Sequence, residues 1–369
     1  MTVTDLDAAV PARPHDDSAF VLACRGLPHD HVPVWFMRQA GRALAEYRAI
    51  RAQHTFEEVV HTPELAAEVT LQPVRRYGVD AAILFSDIVT PVQALGVGVE
   101  IEPGVGPVVE QPFRTPADVD RLRPLEPDTD LAFVLETVSI LARELPVPLI
   151  GFAGAPFTVA SYLIEGGPSK SYSRTKALMY ADEATWHVLM ERLADITLVS
   201  LTAQVERGAS AVQLFDSWAG ALHPEDYARY VLPHSRRILD AIGELGVPRI
   251  HFGVGTGELL GAMAAEGAAD VVGVDWRVPL ADARRRIPTG VGMQGNLEPA
   301  VCLGPWEGVE RRVLDVLAAA DRAVDHVFNL GHGVLPATDP AILRNVVELV
   351  HREGRVGDRR GRGAEPADG

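Results

Sequence analysis

The sequence is short of several things, and each shortage excludes a class of protein. Only two of its 369 residues are cysteine, Cys24 and Cys302. They form no CxxC pair and stand near no histidine cluster, so neither a disulfide framework nor a thiolate zinc site is expected. Lysine is equally rare: of the 34 basic residues only Lys170 and Lys176 are lysines. Neither follows a candidate strand, which argues against a Schiff-base aldolase of the usual barrel kind. No apolar run approaches the roughly 20 residues that cross a bilayer. The first segment carries Asp5, Asp7, Asp16 and Asp17 and reads as neither a signal nor a transit peptide, so a cytoplasmic protein is expected. GxxxxGK[ST], HExxH and GxSxG are all missing. Gly253-Val254-Gly255-Thr256-Gly257 falls short of GxGxxG, with Leu260 in the third glycine's place.

Positive charge is also in deficit. The net charge of −16 argues against nucleic acid or an anionic membrane as a general partner. An anionic substrate would need a local cluster of cations, and that cluster would have to be arginine, whose fixed fork suits carboxylates. The remainder is ordinary for a globular chain, 47% hydrophobic and 23% charged.

Residues 1–19 are polar and aperiodic, and residues 354–369 include the basic run Arg359-Arg360-Gly361-Arg362-Gly363 among acidic neighbours. Both tails are expected to be disordered, leaving one domain over residues 20–353. Inside it lie eight short apolar runs: Val34–Met37, Ala81–Phe85, Leu149–Phe152, Ala211–Phe215, Arg249–Phe252, Val271–Val274, Gly290–Met293 and His326–Leu330. Each suits a strand buried on both faces. Segments with helical spacing separate them, clearest at Leu131–Leu145 and Trp186–Arg207. Strand and helix in alternation imply a parallel sheet, and eight units suggest a single (β/α)8 TIM barrel, with a doubly wound open sheet as the alternative.

Polar residues follow every run: Arg38-Gln39-Ala40-Gly41-Arg42 after the first, Ser86-Asp87 after the second, Asp216-Ser217 after the fourth, Asp275 after the sixth, Gly331-His332-Gly333 after the eighth. In a barrel these ends meet at one mouth, where barrel enzymes hold their sites. Each residue also has a plainer reading. Arg38 and Arg42 are spaced to pair with Glu46 on a following helix, and Asp87 is placed to cap one. Asp275 suits a loop beside Arg277, His332 a turn, and Tyr162 and Phe215 the core. Eight polar ends in register exceed what capping requires.

These motifs resemble the uroporphyrinogen decarboxylase family. The likeness rests on Pro33-Val34-Trp35-Phe36-Met37-Arg38-Gln39-Ala40-Gly41-Arg42, on Gly151-Phe152-Ala153-Gly154-Ala155-Pro156-Phe157-Thr158 and on Phe85-Ser86-Asp87-Ile88. Gln294-Gly295-Asn296-Leu297-Glu298-Pro299 and Asn329-Leu330-Gly331-His332-Gly333 extend it, so that it spans Pro33 to His351. Ala45 departs from it, standing where the family usually has proline, and His251–Leu260 is an unfamiliar form.

The resemblance implies a (β/α)8 barrel, a homodimer, and cofactor-free conversion of uroporphyrinogen III to coproporphyrinogen III by loss of CO2 from four acetates. It implies Asp87 and Arg38 as catalytic residues. Gln39, Ala40, Gly41, Arg42, Arg51, Tyr162, Ser217 and His332 join them against the substrate. Decarboxylation leaves electrons that need a sink; a protonated pyrrole supplies one, and a carboxylate such as Asp87 stabilises it. The proton donor stays open between Arg38, His332 and water; guanidinium is a weak acid and His332 titrates nearer neutrality. Two rival readings are a related barrel methyltransferase, which would need zinc ligands at strand ends, and a non-catalytic tetrapyrrole carrier, which would not need Asp87.

Overall fold

The computed structural model describes residues 15–356 apart from 103, 266, 267 and 322. Most of each expected tail therefore lies outside the described residues, but their inner ends are ordered. Ser18 caps the helix Ala19–Cys24 through its hydroxyl, and the His15 ring bonds the Leu145 carbonyl at 3.2 Å. At the other end Val32 N–H donates to Gly354 O at 2.8 Å and Val356 N–H to Asp30 O at 3.1 Å, so 354–356 pair with the start of the fold.

Seven parallel strands form one curled sheet. In chain order they are β1 (Ala82–Ile83), β4 (Leu149–Gly154), β5 (Ala211–Asp216), β6 (Arg249–Gly253), β7 (Val271–Gly273), β8 (Gly292–Gln294) and β9 (His326–Val327). Each pairs with the next, in the order β1-β4-β5-β6-β7-β8-β9. The continuous apolar runs give these strands because both faces are covered, by helices outside and by other strands' side chains within. The helix Glu183–Glu206 shows the outer cover. Trp186, Leu189, Met190, Leu193, Ile196 and Leu201 bury one stripe, and its Gln204 amide both donates to and accepts from the backbone of Phe152 on β4. Inside the curl runs a buried polar chain: Trp35 Nε1–H donates to Gln294 Oε1 at 2.9 Å, and Gln294 Nε2–H to Gln213 Oε1 at 2.9 Å.

The first expected strand, Val34–Met37, is reduced to a single parallel bridge from Val34 to Phe328. It still touches both neighbours: Phe328 N–H donates to Pro33 O at 2.8 Å and Asp80 N–H to Val34 O at 2.8 Å. Beyond Trp35 the ladder stops because side chains take the amides. Phe36 N–H goes to Gln39 Oε1 at 3.0 Å and Met37 N–H to Asn329 Oδ1 at 3.1 Å. A separate antiparallel hairpin, β2 (Val99–Glu102) with β3 (Gly106–Val109), was not expected from the sequence. Among the described residues no helix is long and apolar enough to cross a membrane.

His326 on β9 is fully buried. Its Nε2–H donates to Gly295 O at 2.8 Å, while Nδ1 has no partner among the described residues. Burial holds its pKa down to about 4, against 6.5 in a free side chain. The unfolded chain therefore takes up a proton near pH 6.5 that the native state refuses until about pH 4. This contribution to stability is complete above pH 6.5 and is lost as pH falls towards 4, in all about 3 kcal/mol. His326→Gln should flatten that part of the stability curve by about 2–3 kcal/mol, read from urea midpoints at pH 7 and pH 4.5. Parallel curves for parent and variant would show that His326 does not carry the effect.

Candidate active site

β1 delivers Asp87 to the carboxyl end of the sheet through a tight turn. Thr70 Oγ1 accepts the Phe85 N–H at 3.1 Å, and Thr90 Oγ1 accepts the Asp87 N–H at 3.2 Å. One Asp87 oxygen, Oδ1, accepts Val89 N–H at 3.0 Å ahead of the helix Thr90–Ala94. The bond closes a turn at Val89, the N-cap residue, and no side chain caps the helix, so Asp87 is a turn residue here rather than a cap. No side chain among the described residues hydrogen-bonds to the carboxylate. Burial pushes its carboxyl above the usual range, while the Val89 N–H and the charge of Arg38 pull the other way.

Arg38 stands exposed where the Val34 stretch ends, with φ +58° in the left-handed region. Its stem lies against Gly333: a Cβ there would sit 2.5 Å from Arg38 Cδ and 2.8 Å from Cγ, so only glycine leaves room. The expected pairing of Arg38 and Arg42 with Glu46 does not occur, since Glu46 faces Arg76 at 3.9 Å instead. Neither Arg38 nor Arg42 has an ion-pair partner among the described residues. Arg42 is exposed, with its carbonyl accepting from Arg48 at 2.7 Å. Arg51 closes the helix Ala45–Arg51 and donates to His54 O. Ala40 and Gly41 are half-buried between the two arginines. Gln39 is different: its side chain is fully buried and committed, accepting from Phe36 N–H and donating to Ala81 O at 3.1 Å. Its side chain shapes the loop that carries Arg38 and Arg42.

His332 sits between Gly331, pressed on Trp276, and Gly333. Its Nδ1 accepts the Gly333 N–H at 2.7 Å, which places its own proton on Nε2. Burial first, then Arg38 and Arg277, hold its pKa down to about 4. The sequence-based expectation that His332 titrates near neutrality is therefore corrected: it is a neutral donor at pH 7. Tyr162, on the helix Pro156–Glu165, packs against Trp218 with ring centroids 3.9 Å apart and the rings tilted by 40°. Burial, then the Asp87 charge, pushes its hydroxyl up, so it stays protonated. Ser217 follows β5 and lines a cavity of about 340 Å3 with Tyr172, Trp218, Arg277 and His332. The β5 loop is held by Thr158, whose hydroxyl donates to Asp216 Oδ1 at 3.1 Å and accepts Trp218 N–H at 3.3 Å.

Asp275 behaves as a loop residue. It accepts Arg277 N–H at 2.8 Å and also the Gly255 N–H, tying together the loops after β6 and β7. Tyr172, Trp218 and Arg277 were not singled out from the sequence. Tyr172 enters from a connection between helices at φ +51°, far from any strand end, and has no motif to announce it.

Known proteins share the family and the fold of this chain. The family model "Uroporphyrinogen decarboxylase (URO-D)" matches residues 15–353. A uroporphyrinogen decarboxylase of Salinispora tropica is 60% identical over 342 residues, 92% of each chain. One of Streptomyces coelicolor is 58% identical, covering 96% of this chain and 99% of its own. Among solved structures, a methyltransferase from Methanosarcina mazei superposes with TM-score 0.73 at 19% identity, over 91% of this chain and 98% of its own. A B12-independent methionine synthase from a Shewanella species follows at TM-score 0.52 and 14% identity, over 80% and 90%. At such identities these two show a shared fold and nothing of the chemistry. The family match over nearly the whole chain, together with relatives near 60% identity, establishes that this chain belongs to the uroporphyrinogen decarboxylase family.

Proposed function

We propose that the protein decarboxylates uroporphyrinogen III, removing CO2 from its four acetate groups to leave the methyl groups of coproporphyrinogen III. The observation that carries this reading is the pair at the mouth: among the described residues, a cation without an ion-pair partner, Arg38, acting on a carboxylate, Asp87, that no side chain satisfies. Protonation of a pyrrole α-carbon makes a cation conjugated to the acetate CH2. The C–C bond to the carboxylate then breaks, CO2 leaves, and the electron pair neutralises the ring cation to leave an exocyclic methylene; a proton taken up on that carbon makes the methyl group, and loss of the proton from the α-carbon restores the pyrrole. Asp87 accepts pyrrole N–H groups, which restores its ionised form, and its charge stabilises the protonated ring. Arg38, with Arg42 and Arg51 on the same side, holds substrate carboxylates. Ser217, Tyr162 and His332 Nε2–H supply hydroxyl and ring donors. Because His332 is neutral, the proton that reaches the pyrrole comes through Arg38 or a water that it orders.

The substrate is its own electron sink, so turnover needs no cofactor, and activity is expected to survive chelation and dialysis. The same reading includes one catalytic domain, a barrel closed by the Val34 stretch, a homodimer and a cytoplasmic setting. Closure draws support from the bonds of Pro33 and Val34 to both Phe328 and Asp80.

The test is incubation with enzymatically generated uroporphyrinogen III, with products separated by carboxyl count. Seven-, six-, five- and four-carboxyl porphyrinogens should appear in turn. Unchanged eight-carboxyl substrate with folded protein would overturn the assignment.

A further inference from the structure

The end of the sheet opposite Asp87 holds a cluster that decarboxylation does not use. Asp80 stands just before β1, His31 just before the Val34 stretch, and His351 in the last turn of the helix Pro340–Glu353. His31 Nε2 lies 3.0 Å from Asp80 Oδ1, and His351 Nε2 lies 2.8 Å from Asp80 Oδ2. The two rings meet edge to face with centroids 4.5 Å apart. One donor atom from each residue falls within 4.8 Å of the others.

We propose that His31, Asp80 and His351 form a binding site for a divalent transition metal of the zinc type. Ring chemistry is the first support. His31 Nδ1 lies 2.7 Å from Asp30 Oδ1, and a carboxylate only accepts, so Nδ1 carries the proton. The ring is thereby turned so that Nε2 faces the Asp80 oxygen, and a cation there would take the place of the proton that the two groups share. A carboxylate behind a histidine is also the usual outer support of a metal-ligating imidazole.

The donor set is the second support. Two imidazoles and one carboxylate, with a place left for water, suit zinc; imidazole nitrogen disfavours magnesium and calcium. The side chains are 23%, 16% and 33% exposed, enough for a metal and a water to enter. Around a tetrahedral ion with bonds of about 2.0–2.1 Å, donor atoms stand about 3.3 Å apart. The 2.8 and 3.0 Å separations run to different oxygens of Asp80, and one donor atom from each residue lies within 4.8 Å of the others, so rotation of the partly exposed rings has to bring the three to that spacing.

Such an ion would join three distant segments at the barrel's lower rim and stabilise the fold without touching the chemistry. Untagged, metal-free protein should be titrated with Co2+ and, separately, with Zn2+. The expected result is one equivalent bound at micromolar or tighter affinity, visible Co2+ d–d bands that Zn2+ abolishes, and a melting temperature raised by a few degrees. Decarboxylase activity should be the same with and without metal. His31→Gln and His351→Gln, each checked for native circular dichroism, should lose both bands and shift. Folded parent that shows no bands at about 100-fold excess of Co2+ would overturn the proposal, as would a folded Gln variant that binds as the parent does. The cluster would then be a hydrogen-bonded lock held by protons alone.

Discussion

Asp87→Asn should turn over substrate about 10²–10³-fold more slowly, the size seen when one preorganised electrostatic group is removed. Its melting temperature should match the parent's or exceed it. Both halves follow from the turn that holds Asp87. Oδ1 accepts Val89 N–H at 3.0 Å, and the amide oxygen of asparagine makes the same bond. The carboxylate is disfavoured by burial, so replacing it with a neutral group relieves the fold. What disappears is the charge, and that charge matters more to a cationic transition state than to the bound substrate. The fall should therefore appear in kcat more than in KM. In the parent, the acid limb of kcat/KM should lie above the ordinary aspartate value of 3.8, because Asp87 must ionise before it binds and its carboxyl is raised. Asp87→Asn should lose that limb. A stable Asn variant with near-normal coproporphyrinogen output would reduce Asp87 to a turn residue.

Arg38→Lys should lose about 10²-fold or more in kcat/KM, with the fold intact, because a point charge replaces a planar two-pronged donor. Gly333 leaves space for the lysine stem, so packing does not confuse the outcome. Arg38→Gln should lose activity too, and it reports on a second quantity. Burial and then Arg38 hold His332 down to about 4; without the cation its pKa should rise, a shift readable from imidazole NMR. Unchanged kinetics in folded Arg38→Lys would move the carboxylate contact to Arg42 or Arg51. An unmoved His332 would separate it from Arg38.

The strands were legible because a sheet covered on both faces writes itself as short apolar runs, as in Leu149–Gly154 and Ala211–Asp216. Their ends were less so. Gln39 and Asn329 intercept the amides of Phe36 and Met37, and nothing in an apolar run says that a distant side chain will break the ladder. The β2–β3 hairpin was legible in principle: Val99 and Ile101 alternate with Glu100 and Glu102, the period of a half-buried strand. Asp87, Arg38 and His332 could be singled out because they sit at strand ends inside long motifs. Gln39 shows the limit of a motif, since it marks a residue without saying whether the side chain faces a substrate or the backbone. The neutrality of His332 was beyond reach, because it arises from burial and from two arginines brought close only by folding.

Arg38 occupies a backbone conformation that L-residues other than glycine, asparagine and aspartate rarely adopt. Holding it there costs the native state about 1–2 kcal/mol. Heat resistance and turnover therefore pull in opposite directions at this one position. Glycine or asparagine would relax the turn and remove the cation together. A library sorted only for thermal survival should lose arginine here early, yielding sturdier protein that, on the role proposed for Arg38, no longer turns over substrate. Any campaign to harden this protein has to hold residue 38 fixed and look for its gains elsewhere.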